Sequence, residues 1–96
     1  MKFYFHPQAE VELDVAVDYY DQCEFGLGLE FAEEVYSTIE RILEYPSASP
    51  KISQNARRCL VSRFPYGVIY QKQSGRIRIV AIANLHKRPA YWKNRI

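Results

Sequence analysis

The last eleven residues of the chain, HKRPAYWKNRI, hold its densest group of chemically capable side chains. They contain one histidine, four Lys or Arg residues and two large aromatic residues, and they contain no acid. Such a segment could seal a hydrophobic core, bind a nucleic acid, hold a protein partner or use its histidine in catalysis. The rest of the sequence decides how far these four roles can be separated.

RNA cleavage through the ribose 2′-hydroxyl is the reaction that these residue types suit. The imidazole of His86 would take the hydroxyl proton, because histidine titrates close to neutral pH. The guanidinium groups of Arg63 and Arg88 would stabilise the charge that gathers on the phosphate, and Tyr91 is the fourth residue of this nuclease hypothesis. The basic half of the chain has no carboxylate to orient His86. A strand-end histidine bonded to the backbone is therefore the favoured interpretation.

Binding without catalysis is the broader hypothesis for the same region. Arginine and lysine bind phosphates or acidic peptides through Coulombic attraction and charge-assisted hydrogen bonds. The candidates are Arg57, Arg58, Arg63, Arg76, Arg78, Lys87, Arg88, Lys93 and Arg95. Tyr91 and Trp92 could stack on bases. The alternative for Trp92 is a hydrophobic lid over the core, with the neighbouring cations extending into solvent.

Metal and nucleotide sites receive little support from the sequence. The possible metal ligands are His6, His86, Cys23 and Cys59, and they lack the close spacing of a zinc site. No glycine-rich phosphate-binding motif is present, so we expect neither a metal nor a cofactor. We expect a structural role for His6 at the start of a helix, and both cysteines to be buried free thiols.

The charges are divided between the two halves of the chain. All eleven acids lie in residues 1–46, where only Lys2 and Arg41 oppose them, and residues 47–96 hold eleven Lys or Arg and no acid. The formal charges of the halves are therefore −9 and +11. Part of this charge must cancel inside the folded domain, but a basic surface should remain. Such a surface would steer the protein towards acidic partners.

The length of 96 residues predicts a single domain spanning residues 1–96. No apolar run approaches the roughly 20 residues that a membrane-spanning helix needs. The N-terminus, MKFYFHPQAEVELD, has neither the apolar stretch nor the cleavage site of a signal peptide. We therefore expect a cytoplasmic protein with no membrane partner.

The hydrophobic pattern places these residues on an α+β fold. KFYF predicts a short strand, and Leu13, Ala16, Val17 and Tyr20 recur at helical spacing in a helix over about 8–24. Gly26 and Gly28 end that helix and lead into a second helix, which Pro46 stops, so the two form an antiparallel hairpin. Residues 47–56 are predicted to be the longest loop.

The second half of the chain alternates with a period of two, which is typical of strands. RRCLVSRF, VIYQK and RIRIVAIA predict a three-stranded meander, and the last strand is expected to be central because both of its faces are apolar at residues 80–82. The fold class is therefore an N-terminal strand and a helical hairpin packed on a small, mainly antiparallel sheet, followed by a basic and aromatic tail.

Five stretches in this order resemble the RelE/ParE superfamily of toxins from type II toxin–antitoxin modules. They are AEVELDVAVDYY, GLGLEFAEEV, IERILEYP, RRCLVSRFPYGVIY and IVAIANLHKRPAYWKNR. The FPYGVIY and RPAYW stretches look most like the ParE-type branch. Two positions depart from the pattern: Asn84 stands where many members carry histidine, and Lys87 stands where some nucleases of the superfamily carry tyrosine.

The resemblance implies a growth-arresting toxin that a cognate antitoxin neutralises with an acidic, partly disordered segment. ParE-type members bind and inhibit DNA gyrase, whereas RelE-type members cut messenger RNA on the ribosome. We favour the gyrase inhibitor; the alternatives are the ribosome-dependent nuclease and a non-toxic relative that keeps only the fold and antitoxin binding. The predicted target- or antitoxin-binding residues are Arg58, Arg63, His86, Lys87, Arg88, Tyr91, Trp92 and Arg95.

Overall fold

The computed structural model describes all residues, 1–96, and confirms the α+β architecture. The chain opens with one strand, continues through two helices and then forms four further strands. The elements are β1 (Lys2–Phe5), α1 (Pro7–Cys23), α2 (Leu27–Glu44), β2 (Lys51–Ser53), β3 (Ala56–Leu60), β4 (Tyr66–Gln73) and β5 (Arg76–Asn84), with a 3-10 helix at Lys93–Arg95. Neither long helix is apolar enough along its length to cross a membrane.

The first helix begins as its sequence predicts. His6 is the N-cap residue, and its Nδ1 accepts a hydrogen bond of 3.0 Å from the backbone N–H of Gln8. Pro7 occupies the first helical position, where a missing N–H costs nothing. The structural role expected for His6 is therefore confirmed.

Asp21 and two glycines produce the tight connection between the helices. The Oδ1 atom of Asp21 accepts hydrogen bonds from the N–H groups of Gly26 (3.2 Å) and Gly28 (3.1 Å). Gly26 adopts a left-handed conformation with φ of +86°, which glycine reaches without steric cost. A Cβ atom at Gly28 would collide with the carbonyl oxygen of Val17. The helices can therefore approach closely only because Gly28 has no side chain.

The sheet has the strand order β1-β5-β4-β3-β2, so β5 lies inside it, as predicted. β1 runs parallel to β5 and the other neighbours are antiparallel. Two predictions were wrong. The predicted loop over residues 47–56 contains the edge strand β2, and β3 ends at Leu60 rather than continuing to Phe64. The connection to β4 that follows contains Arg63 in a left-handed conformation, with φ of 72°.

The sheet is covered on both faces by different parts of the chain. The helical hairpin covers one face, where Ile77, Ile79 and Ile82 of β5 are fully or almost fully buried. The other face carries a smaller cluster that consists of Ala56, Ile69, Val80, Ala81, Ala83 and Trp92. Val80 has no partner on β4 and therefore forms a β-bulge in β5. The bulge directs Val80 and Ala81 to the same face of the sheet.

The cysteines differ from the expectation that both would be buried. Both are free thiols, but Cys23 is exposed and Cys59 is half-buried. Cys23 lies four residues after Tyr19 in α1, on a side of the helix that no other element covers. Cys59 packs partly against the hairpin cluster.

Candidate functional site

The chain leaves the sheet through a turn that Asn84 organises. Its side-chain oxygen accepts a hydrogen bond of 2.9 Å from the N–H of His86, and its carbonyl oxygen accepts one of 3.1 Å from the N–H of Lys87. This is the local side-chain-to-backbone pattern that favours asparagine in turns. Position 84 therefore shapes the path of the tail, defined here as residues 85–96.

Trp92 anchors the tail to the sheet face that the helices leave uncovered. It is 4% exposed and belongs to the cluster of Ala81, Ala83 and Ile69. The small side chains of the two alanines leave room for the indole ring on that face. The burial of Trp92 agrees with the lid alternative rather than with an exposed base-stacking ring.

A largely buried carboxylate on α1, that of Glu12, holds the other end of the tail. The guanidinium group of Arg95 bonds both oxygens of Glu12, at 3.0 and 2.9 Å, and the hydroxyl of Tyr91 donates to Glu12 at 2.8 Å. The side chains of Arg95 and Glu12 are only 9% and 18% exposed. The cationic side chain of Arg95 is therefore committed to an internal ion pair.

The same ion pair satisfies backbone groups of the central strand. β1 pairs with β5 only as far as Phe5 opposite Ile79, so β5 has no strand neighbour on that side beyond this point. The N–H of Ile82 donates to Glu12 at 3.0 Å, and the carbonyl oxygen of Val80 accepts from Arg95 at 3.0 Å. Buried backbone polar groups need hydrogen-bond partners. Glu12 and Arg95 provide here the hydrogen bonds that a neighbouring strand would otherwise make.

The surroundings of Glu12 raise the pKa values of both Tyr91 and Arg95. Burial raises the pKa of the Tyr91 hydroxyl well above its ordinary value, and its hydrogen bond to the Glu12 carboxylate raises it further. The hydrogen bond to Glu12 also raises the pKa of Arg95. Near neutral pH the Tyr91 hydroxyl therefore stays protonated and donates a hydrogen bond to the Glu12 carboxylate.

Three cations that no acid of the chain neutralises surround a cleft on the tail side of the sheet. Arg58 of β3 and Lys87 and Arg88 of the tail make no ion pair and no side-chain hydrogen bond. The cleft has a volume of about 220 Å³. Its remaining walls are mainly apolar or aromatic and include Ile52, Ile69, Ala83, Leu85, Pro89, Tyr91 and Trp92. We call this site the tail cleft.

The structure gathers five of the eight predicted binding residues around the tail cleft: Arg58, Lys87, Arg88, Tyr91 and Trp92. His86 is exposed and lies in the adjoining turn, but it does not line the cleft. Arg63 lies elsewhere, where its guanidinium group meets Glu30 at 2.7 Å and Glu34 at 3.7 Å on α2. Arg95 points to Glu12 and does not line the cleft either.

The chemistry open to the tail cleft is the binding of an anion beside an apolar group. Uncompensated guanidinium and ammonium groups bind carboxylates or phosphates, and the aromatic wall would accept an apolar or planar group. No group of three or more His, Cys, Asp or Glu side chains is arranged to hold a metal ion.

Sequence reasoning missed Glu12, which organises the tail. A signal for it was present, because Glu12 falls between Ala9 and Ala16 on the buried side of α1, next to Leu13. An acid at the border of an apolar face needs a cationic partner from outside its helix. The sequence does not indicate which of the eleven cations of the second half provides it.

Comparison with known proteins supports the architecture. No protein-family model matches the sequence, and no curated protein sequence matches it. The chain superposes with a TM-score of 0.79 on a chain of a solved structure described as the chromosomal ParDE TA system from P. aeruginosa. The match covers 90% of this chain and 97% of that chain, at 16% sequence identity. At this identity the likeness establishes a shared fold.

Proposed function

We propose that this chain is the toxin of a type II toxin–antitoxin pair, of the ParE-like branch, and that it arrests growth by binding DNA gyrase directly. The observation that carries the proposal is the shared fold with a chain of a ParDE system over nearly the whole length of both chains. On this proposal the protein acts in the cytoplasm, where gyrase is found, and it binds its target without covalent chemistry.

The tail cleft is the working surface in this proposal. Arg58, Lys87 and Arg88 offer positive charge that no residue of this chain neutralises, beside the apolar walls of the cleft. A protein surface with a carboxylate next to a large apolar side chain would fit it. Binding of this kind combines electrostatic steering with burial of the apolar group.

The cognate antitoxin is proposed to cover the same basic surface. An acidic, partly disordered segment would gain charge-assisted contacts with the unpaired cations as it orders on the toxin. Association should therefore be fast and should weaken as the salt concentration rises.

The ribosome-dependent nuclease is the alternative, and one observation favours it. The exposed imidazole of His86 lies in the turn that also places Lys87 and Arg88. Two observations weigh against it, because Arg63 is paired with Glu30 away from this turn and the Tyr91 hydroxyl is bonded to Glu12. On this alternative His86→Ala should abolish mRNA cleavage on ribosomes while antitoxin binding survives.

Supercoiling by purified gyrase, measured as purified chain is titrated in, tests the proposal. We expect dose-dependent inhibition that the antitoxin relieves. The double variant Lys87→Gln/Arg88→Gln should require about tenfold more protein for the same inhibition, because it loses two cations of the cleft. Lys93→Gln is the matched control, since Lys93 is an exposed cation of the same tail that does not line the cleft.

A folded, growth-arresting chain that leaves supercoiling unchanged would refute gyrase as the target. Ribosome-dependent cleavage lost in His86→Ala would then establish the nuclease. A chain that neither arrests growth nor inhibits gyrase, yet still binds its antitoxin, would be the non-toxic relative.

A further inference from the structure

We propose that the exposed face of α1 bearing Val11, Val15 and Tyr19 is a second docking surface, which binds a basic amphipathic helix of a partner protein. It lies on α1, and the groove beside it shares only Asn84, Lys87 and Tyr91 with the tail cleft.

The three apolar side chains form a row along α1. They are spaced four residues apart, so they lie on one side of the helix, and the row is about 12 Å long at 1.5 Å per residue. Val11, Val15 and Tyr19 are 59%, 62% and 58% exposed. Isolated exposed apolar residues need no explanation, but aligned ones are typical of interaction sites. We call these three residues the α1 row.

A groove runs beside the α1 row and extends its apolar surface. It has a volume of about 250 Å³ and lies between α1 and the end of β5. Val11, Glu12, Val15 and Ala16 form its α1 wall. The opposite wall includes Tyr66, Tyr91 and, where the groove meets the tail cleft, Lys87. A linear apolar row beside a groove suits a helix that inserts residues spaced three and four apart.

The charge next to the α1 row identifies the partner as basic. Each residue of the row follows an acid, so Glu10, Asp14 and Asp18 form a parallel row of exposed carboxylates. None of these acids makes an ion pair, and α1 contains no Lys or Arg. A helix with lysine or arginine beside its apolar stripe would pair with them.

The same acids argue against other occupants. A symmetric dimer through this face would bring two rows of carboxylates together, because a two-fold interface apposes the same patch of both copies. An anionic membrane surface, a nucleic acid or an acidic peptide would be repelled. The partner of the α1 row therefore differs in charge from the acidic segment proposed for the tail cleft.

Fluorescence anisotropy with two labelled synthetic peptides tests this inference. The first is a helix of about 15 residues with leucine on one face and lysine elsewhere, and the second replaces every lysine with glutamate. We expect the lysine peptide to bind and the glutamate peptide not to bind at this surface. Val11→Gln/Val15→Gln should weaken binding of the lysine peptide about tenfold, while Asp14→Asn/Asp18→Asn should weaken it only at low salt.

Leu60→Gln is the matched control, since Leu60 is 55% exposed and lies on β3, away from α1. It should leave the affinity unchanged, and all variants should unfold at the same temperature as the parent because the altered side chains are exposed. Equal affinity of the lysine peptide for the parent and for Val11→Gln/Val15→Gln would overturn the proposal. A dimer in sedimentation equilibrium that Val11→Gln/Val15→Gln abolishes would overturn it too, by assigning the α1 row to a second copy.

Discussion

Two arginines of the basic half, Arg95 and Arg63, form ion pairs with acids of the first half, and these pairs differ in burial and in what else they bond. Arg95 and Glu12 are 9% and 18% exposed and bond both each other and the backbone of β5. Arg63 and Glu30 are 54% and 44% exposed and meet on the surface. The two pairs contain the same chemical groups, so their different roles come from burial and from the further groups that Glu12 and Arg95 bond.

Burial makes the Glu12 pair a structural element and leaves the Glu30 pair a surface contact. Removing one partner of a buried pair leaves a charge without water or counter-charge, whereas an exposed pair exchanges its partner for solvent. Arg63 also has independent support, because its neighbour Phe64 packs edge-on against Phe31 with ring centroids 5.1 Å apart. The loop should therefore keep its position without the ion pair.

The largest expected effect is that of Arg95→Ala. It leaves the Glu12 carboxylate buried without a counter-charge and the carbonyl oxygen of Val80 without a donor. We expect the free energy of unfolding to fall by about 3–5 kcal/mol. Urea denaturation measures this loss, and a loss no larger than that of Arg63→Ala would contradict the distinction between the pairs.

The double variant Glu12→Leu/Arg95→Met sharpens the same experiment. Apolar replacement of a buried ion pair is often tolerated, but here it also removes the partners of Ile82 N–H and Val80 C=O. We therefore expect a net cost of about 2–4 kcal/mol, since each orphaned group costs roughly 1–3 kcal/mol. A neutral double variant would show that water satisfies this edge of β5.

An intermediate effect is expected for Tyr91→Phe, which keeps the ring beneath the Arg95 guanidinium and removes only the bond to Glu12. Stability at neutral pH should fall by about 1.5 kcal/mol. Folding raises the pKa of Tyr91. In the pH range above the pKa of the unfolded chain, the native state therefore keeps the hydroxyl proton that the unfolded chain has lost. The contribution of Tyr91 to stability is therefore complete below about pH 10 and is lost as the pH rises further.

Denaturation at neutral and at alkaline pH tests whether stability falls as the pH rises. The parent should lose stability above about pH 10, and Tyr91→Phe should lose less. Some alkaline loss should persist in the variant, because burial also raises the pKa values of Tyr20, Tyr66 and Tyr70. An identical alkaline slope in both proteins would exclude Tyr91 as a source of the dependence.

The smallest effect is expected for Arg63→Gln. The ion pair is exposed and screened by salt, so the unfolding midpoint should match that of the parent within experimental error, and raising the salt concentration should not separate the two. Thermal unfolding at low and high salt measures both quantities. A midpoint as low as that of Arg95→Ala would mean that the Glu30 contact positions the loop.

Local sequence patterns predicted most of the fold. The helical spacing of Leu13 and Ala16 and the alternation around Ile77 and Ile79 identified elements that the structure confirms, because each pattern reports which face of one element is buried. β2 escaped prediction since its three residues are too few to establish a period. The tail cleft was only partly predicted, because Arg63 and Arg95 resemble Arg58 in sequence but have acidic partners in the structure.

The sequence by itself determined the helical hairpin, the central strand, the basic and aromatic tail and the division of charge, because these follow from spacing between near neighbours. Only the tertiary structure decided which cations stay free to bind a partner. Arg95 meets Glu12 across 83 positions of sequence. It does so because β1 ends at Phe5 and leaves two backbone groups of β5 for that pair to satisfy. Arg58, Lys87 and Arg88 have no such partner, so their charge remains on the surface.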